Sequence, residues 1–457
     1  MTLDESMTPS ERKSVLSLAM LYAMRMLGLF MVLPVFVLYG QDLEAATPEL
    51  LGLAIGAYGL SQALLQIPYG SLSDRFGRKP LIVLGLAVFA FGSVVAAMSE
   101  SIYGVIIGRL LQGAGAIASV LMALLSDLTS EESRTKAMAI VGMSIGVSFA
   151  VALILGPLIA GSFGLSGIFW FTALMAVLGL IWVLRKVPEP ATLQRSRDTR
   201  LFKDQLGAVL RDTELLRLDA GIFCLHLVLT AMFVAVPISL VRDAGVAEAS
   251  HWWFYLSVMV LSFVAMVPFI IVAEKKQRMK QIFLGAIALL AGGAFSLTTQ
   301  TEALSIWIAL FAFFMAFNFL EASLPSLVSK VVPAGTRGTA MGVYSTSQFL
   351  GAFAGGIAGG WAMAEFGIDG VYVLVCAVVL VWWLLAIGMR KPSSKGLSLS
   401  LKQVVTQEQA ETLRQRLLVV DGVLEVVVVP EDGVLHLKVS LTGYDENTLN
   451  EALSGFR

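Results

Sequence analysis

GSLSDRFGRKP, Gly70 to Pro80, sets four charges, Asp74, Arg75, Arg78 and Lys79, around Gly77. LLGLAIGAYGLSQALLQIPY precedes it and LIVLGLAVFAFGSVVAAM follows, and neither run holds a charge. Each is long enough to cross a bilayer as a helix, which takes roughly 18 residues or more. The cluster therefore reads as a tight charged loop joining two membrane helices.

The rest of the chain has the same character. Hydrophobic residues make up 57% and charged residues 14%, against about 25% charged in a soluble domain. The mean hydropathy is +0.81. Cys224 and Cys376 both lie in apolar runs and read as small core residues, without a disulfide framework or metal motif. The N-terminal MTLDESMTPSERKS is polar, with no signal-peptide pattern, so the first helix is expected to stay.

Twelve spans are expected, at about 14–39, 49–73, 79–99, 101–127, 135–162, 165–184, 216–241, 250–273, 280–300, 303–330, 337–364 and 370–389. With both termini inside, the outer loops hold one basic residue, Arg242, while Lys and Arg crowd the inner loops. Both ends are thus expected in the cytoplasm. The polar, basic stretch 185–215 separates a six-span half at 1–184 from a second at 216–391, and part of it could lie on the membrane as an amphipathic helix. Sliding the chain by 200 positions lays IPYGSLSDRFGRKPLIVLG over VPFIIVAEKKQRMKQIFLG, so that Asp74 meets Glu274 and Arg78 meets Arg278. A shift of 203 lays Ser126 and Arg134 over Ser329 and Arg337. A six-span unit therefore occurs twice in the same orientation, as in one large class of transporters. After Arg390 the pattern changes to strand, helix, hairpin, helix, which predicts a small α+β, ferredoxin-like cytoplasmic domain over 395–457. At about 60 residues such a domain is marginal alone, so self-docking or dimerisation through it would add stability.

An ionisable side chain inside a span marks a functional pathway by default. Arg25, Arg109, His226 and Glu321 fall on spans 1, 4, 7 and 10, the first helices of four three-span groups. They are expected to line one polar cavity between the halves, although Arg109 stands nearer the outer end and could snorkel. A facing His226 and Glu321 could pass a proton, and Arg25, always charged, suits an anionic group. Gln112 and Asn318 could bond substrate or neighbouring helices. Gly156-Pro157 should bend or weaken span 5, and the glycines of GAFAGGIAGG, Gly351 to Gly360, should let helices approach closely.

These stretches resemble the major facilitator superfamily. GSLSDRFGRKP, with Gly70, Asp74, Arg75, Gly77, Arg78 and Lys79, is similar to its loop between spans 2 and 3. GRLLQGAGA, with Arg109 and Gln112, is similar to its span 4 motif, and GPLIAG to the span 5 motif of its drug/proton antiporter branch. The resemblance covers about residues 12 to 391. It implies an all-α, twelve-helix transporter of the bacterial inner membrane that works by alternating access, driven by protons and exporting a small molecule. It also implies that Asp74 sits against the start of span 11, near Thr336, and latches the halves, with Asp127 a candidate partner for Arg78. A carboxylate there would gain roughly 0.3–1 kcal/mol from the helix dipole. The tail resembles heavy-metal-associated domains, yet the chain holds no CxxC, so no metal is expected. No enzyme activity, no cofactor beyond the coupling proton and no nucleic acid are expected; the partners are membrane lipids and a substrate the sequence does not identify. A transporter-like sensor signalling through the tail is the alternative. A tail docked on the basic middle loop, at Arg195, Arg197, Arg200 and Lys203, is a further expectation.

Overall fold

Helix α1 (Pro9–Phe30) opens on a reciprocal cap: the Thr8 hydroxyl accepts from the Glu11 N–H, and the Glu11 carboxylate accepts from the Thr8 N–H. It stops well short of residue 39. Pro34 has no N–H to give a helix ladder, so the chain turns and resumes in the short α2 (Phe36–Tyr39). The computed structural model describes residues 7–189, 199–332, 336–390, 394–401, 406–430, 433–440, 443 and 446–453.

The N-terminal half continues with α3 (Pro48–Phe76), α4 (Arg78–Ala97), α5 (Ile102–Ala114), α6 (Ala118–Asp127) and α7 (Glu131–Lys186). The fourth expected span is thus two helices broken at Gly115. A side chain at Gly115 would strike the Gly85 carbonyl at 2.3 Å, so close packing replaces continuity there. A linker helix, α8 (Thr199–Arg211), leads to α9 (Thr213–Arg242), α10 (His251–Lys275), α11 (Met279–Ser296), α12 (Ala303–Val331) and α13 (Arg337–Ile387).

Ten of these stretches are long and apolar enough to cross a membrane, and two of the ten, within α7 and α13, cross twice. The break in α7 is Gly164, at φ 67°, and in α13 it is Gly367, at φ 69°. Glycine adopts this left-handed conformation without a steric penalty. Gly367 stands 203 positions after Gly164, the offset of the second repeat alignment. The contacts prove the reversal. Ser130 and Ser133, at the start of α7, bond Glu11, while Trp182 near its end bonds Ser17, so both ends of α7 meet the same end of α1. Along α13, Gly351 and Gly355 press on Phe223 and Leu227 of α9; after the break Tyr372 bonds Ser239 and Gly388 returns to Arg217. Pro157 does not break α7: the helix keeps helical φ/ψ through it, and the departure falls at Gly164 instead.

The halves meet along α3 and α13 with almost no side chain between them. A Cβ on Gly52 would lie 2.2 Å from the Gly356 carbonyl oxygen, and one on Gly59 2.5 Å from that of Phe349. Farther along, Gln66 donates to Thr346 at 2.6 Å. This seam closes the end of the bundle that carries Pro48. At the opposite end, which carries Asp74, Gly338 and Gly342 have nothing within 4 Å of where a side chain would begin. Large apolar side chains such as Phe91, Phe163, Val264 and Leu304 stand exposed around the bundle, as a lipid-facing surface requires.

The tail consists of β1 (Ser394–Ser400), α14 (Gln407–Leu418), β2 (Val423–Val429), β3 (Val434–Ser440) and α15 (Glu446–Ala452). The strands form an antiparallel sheet in the order β1-β3-β2 over a small core that includes Leu413, Leu417, Leu435 and Leu449. β1 lies beside α7 and α12. Lys438 donates to the Val331 carbonyl at 2.9 Å, one of the final carbonyls that a helix leaves without an intrahelical partner. The described tail hydrogen bond is with the end of α12, where a backbone acceptor meets an ammonium; the side chains of Arg200 and Lys203 lie outside the described residues. Arg195 and Arg197 lie outside the described residues.

Candidate transport site

Gly77 is the whole connection between α3 and α4. Its φ of 95° turns the chain so sharply that Arg78, the first residue of α4, points back beneath α3. There Arg78 pairs with Asp74, donates to the Ser73 hydroxyl at 2.7 Å, and donates through Nε to Asp127 at 2.9 Å. Arg78 is 7% exposed and the Asp127 side chain 4%, so three oxygens compensate the cost of burying the cation. Arg78 meets Asp127 as expected; among the described residues Asp74 pairs with Arg78, one helical turn away, and not with α13. Arg75 is exposed, Lys79 comes within 3.9 Å of Glu189, and Gly70 packs near Ser119. The second half ties the same two helix ends directly, keeping the acid and replacing the second acid by a cation: Lys330, 203 positions after Asp127, donates to Glu274, 200 after Asp74, at 2.6 Å.

Arg25 lies within the N-terminal half and is 2% exposed. One of its terminal nitrogens donates to Gln62 at 2.6 Å and to the Gly115 carbonyl at 2.8 Å. The break in the fourth span thus supplies the acceptor, because Gly115 has left the helical ladder. The Tyr58 and Phe89 rings lie 6.0 and 5.8 Å from the guanidinium. Arg109 does not snorkel. It is 1% exposed, donates to the Ala54 and Ile55 carbonyls at 3.3 and 3.2 Å, and bonds Gln112 at 3.0 Å. Gln112 passes the network on to Ser93. These backbone acceptors on α3 leave Arg109 no reason to reach for water.

In the C-terminal half, His226 of α9 and Glu321 of α12 approach to 3.9 Å. Gln348 of α13 stands between them, 2.8 Å from His226 Nε2 and 3.5 Å from Glu321. Asn318 bonds Ser262 at 3.1 Å and so ties α12 to α10. Two further buried groups belong to this neighbourhood and escaped the sequence reading. Neither Asp219 nor Tyr344 is marked by a motif, and their relation to Glu321 exists only in three dimensions. The four residues expected in one cavity thus form two groups, cations in one half and the His–Glu pair in the other. A cavity of about 550 Å³ lies elsewhere, at the Pro48 end between Thr47, Leu51, Val234, Arg242 and Met363.

Two repeated sets of six crossings, meeting on a glycine seam and carrying buried charge in each set, are the architecture of a secondary transporter. Residues 18–356 match the Major Facilitator Superfamily, and the chain belongs to that family of membrane transporters. Within it, the chain is 47% identical to the inner membrane transport protein YajR of Escherichia coli (strain K12), over 95% of this chain and 96% of that one. It is also 25% identical to the multidrug resistance protein MdtH of Aeromonas salmonicida, over 73% of this chain and 83% of that one. A solved bacterial homologue of the human lysosomal transporter Spinster, inward-facing and occupied, superimposes with a TM-score of 0.67 at 13% identity, covering 84% of this chain and 97% of that one.

Proposed function

We propose that the protein is a proton-driven antiporter that exports a small molecule by alternating access. The observation that carries this reading is the His226–Glu321 contact at 3.9 Å, with the His226 side chain 11% and the Glu321 side chain 36% exposed. A buried carboxyl next to an imidazole can take up and release a proton as the site changes exposure. Arg25 keeps two nitrogens, Nε and the second terminal one, without a protein acceptor, which gives an anionic or carbonyl-bearing part of the substrate a donor to meet. The likeness to a multidrug resistance protein supports export. With the basic loops on the cytoplasmic side, a bundle closed at Pro48 and open at Asp74 is inward-facing. In that state Asp74 rests on Arg78; in the outward-open state it would meet the start of α13.

The test is a transport screen on purified protein in liposomes with an imposed pH gradient. Compounds moved against their gradient in exchange for protons support the reading. Glu321→Gln should abolish the stimulation by the gradient, and a variant that keeps the wild-type pH dependence removes Glu321 from coupling.

A further inference from the structure

Buried polar atoms normally find a hydrogen-bond partner in the protein or in water. In the C-terminal half, Tyr255 OH beside Phe233 has no protein partner, and neither do Asp219 Oδ2, His226 Nδ1, Glu321 Oε2 and Tyr344 OH, the last four forming one group. These four are not scattered. Asp219 and His226 stand seven residues apart on α9, two turns on one face, with Asp219 about 10 Å nearer the Asp74 end. Tyr344 is one turn before Gln348 on α13, and Gln348 touches both His226 and Glu321. Tyr344 lies within electrostatic range of both Asp219 and Glu321. Leu324, less than a turn beyond Glu321, packs beside Gly221 of α9, which sets α12 against α9 here.

We propose that Asp219 and Tyr344 form a proton path that runs wholly within the C-terminal half, from Glu321 to the Asp74 end of the bundle. This rests on the reading of Glu321 as the coupling acid. In one direction, the Glu321 carboxyl gives its proton to the Tyr344 oxygen while the Tyr344 hydrogen passes to the Asp219 carboxylate, with water bridging the gaps. Glu321 ends as carboxylate, Asp219 as acid, and Tyr344 unchanged. The neighbouring charges leave the path clear. Glu214 is bound to Arg217 and to the Arg390 backbone N–H, with the Arg390 side chain 3.9 Å away. From the N-terminal half, Arg25 and Arg109 are held by acceptors of their own half, and Phe149 is the group that packs on Phe233, Phe314 and Phe317. The proton path and the buried cations Arg25 and Arg109 therefore occupy different halves.

The experiment needs no substrate. Full-length protein in liposomes on a solid-supported membrane is subjected to a pH jump, and the displaced charge and its rate are recorded. Glu321→Gln should remove the displacement. Tyr344→Phe and Asp219→Asn should keep its size and slow it by roughly tenfold or more, while Asp219→Glu, which retains a carboxyl, restores most of the rate. If Glu321→Gln behaves as wild type, the coupling reading itself fails. If Glu321→Gln is silent but Tyr344→Phe and Asp219→Asn run at the wild-type rate, the path is overturned and the coupling reading stands. Loss of charge at an unchanged rate in the two path variants would mark a structural role and also overturn it.

Discussion

Arg78 shows how one side chain can tie three helices together. It occupies the first position of α4, accounts for the only acid on the loop, and reaches Asp127 on α6. Removing the farther partner while keeping its shape isolates that last link. Asp127→Asn should leave Arg78 on Asp74 and Ser73 and cost about 1.5–3 kcal/mol, the range for a hydrogen bond to a charged group. The check is thermal unfolding in detergent, with loss of midpoint temperature but unchanged monomer size. In the second half the bond between Glu274 and Lys330 is more exposed, with side chains 45% and 20% accessible. The same removal there should have little effect, since exposed pairs contribute about 0–1 kcal/mol.

At the scale of the element, α3 and α13 cross where neither has a side chain to spare. Gly356→Val would place a branched Cβ 2.4 Å from the Gly52 carbonyl oxygen. The backbones must then part at the Pro48 end, and spin labels across that end should show longer separations than in wild type. Helix existence, the twelve crossings and the glycine contact were legible in the sequence because apolar length and small-residue spacing are local signals. The breaks at Pro34 and Gly115 were less so. Gly115 leaves its helix because of a neighbour, Gly85, thirty positions earlier. The site was legible as a set of residues but not as an arrangement: Arg25 and Glu321 are equally conspicuous in an apolar run, and nothing local tells that each is used inside its own half. Asp219 went unread because a carboxyl near a helix start is ordinary until the packing of α12 and α13 buries it.

For the whole molecule, the tail touches both halves at once, with β1 beside α7 and α12 and Lys438 on Val331. Lys438→Ala removes one hydrogen bond, worth about 1 kcal/mol, and should speed hydrogen exchange in β1 and β3 without altering exchange in the bundle core. The glycine seam has a consequence for how the halves can move. Helices normally lock because ridges of side chains sit in facing grooves, and a change of crossing angle must lift one row over the next. Between Gly52 and Gly360 there are hardly any ridges to lift. The contact behaves as a plain bearing rather than a gear: it fixes the distance between α3 and α13 while offering few ridges there to oppose a change of angle, so the repacking that rocking needs falls to side chains beside the seam, such as Phe149 on Phe233, Phe314 and Phe317.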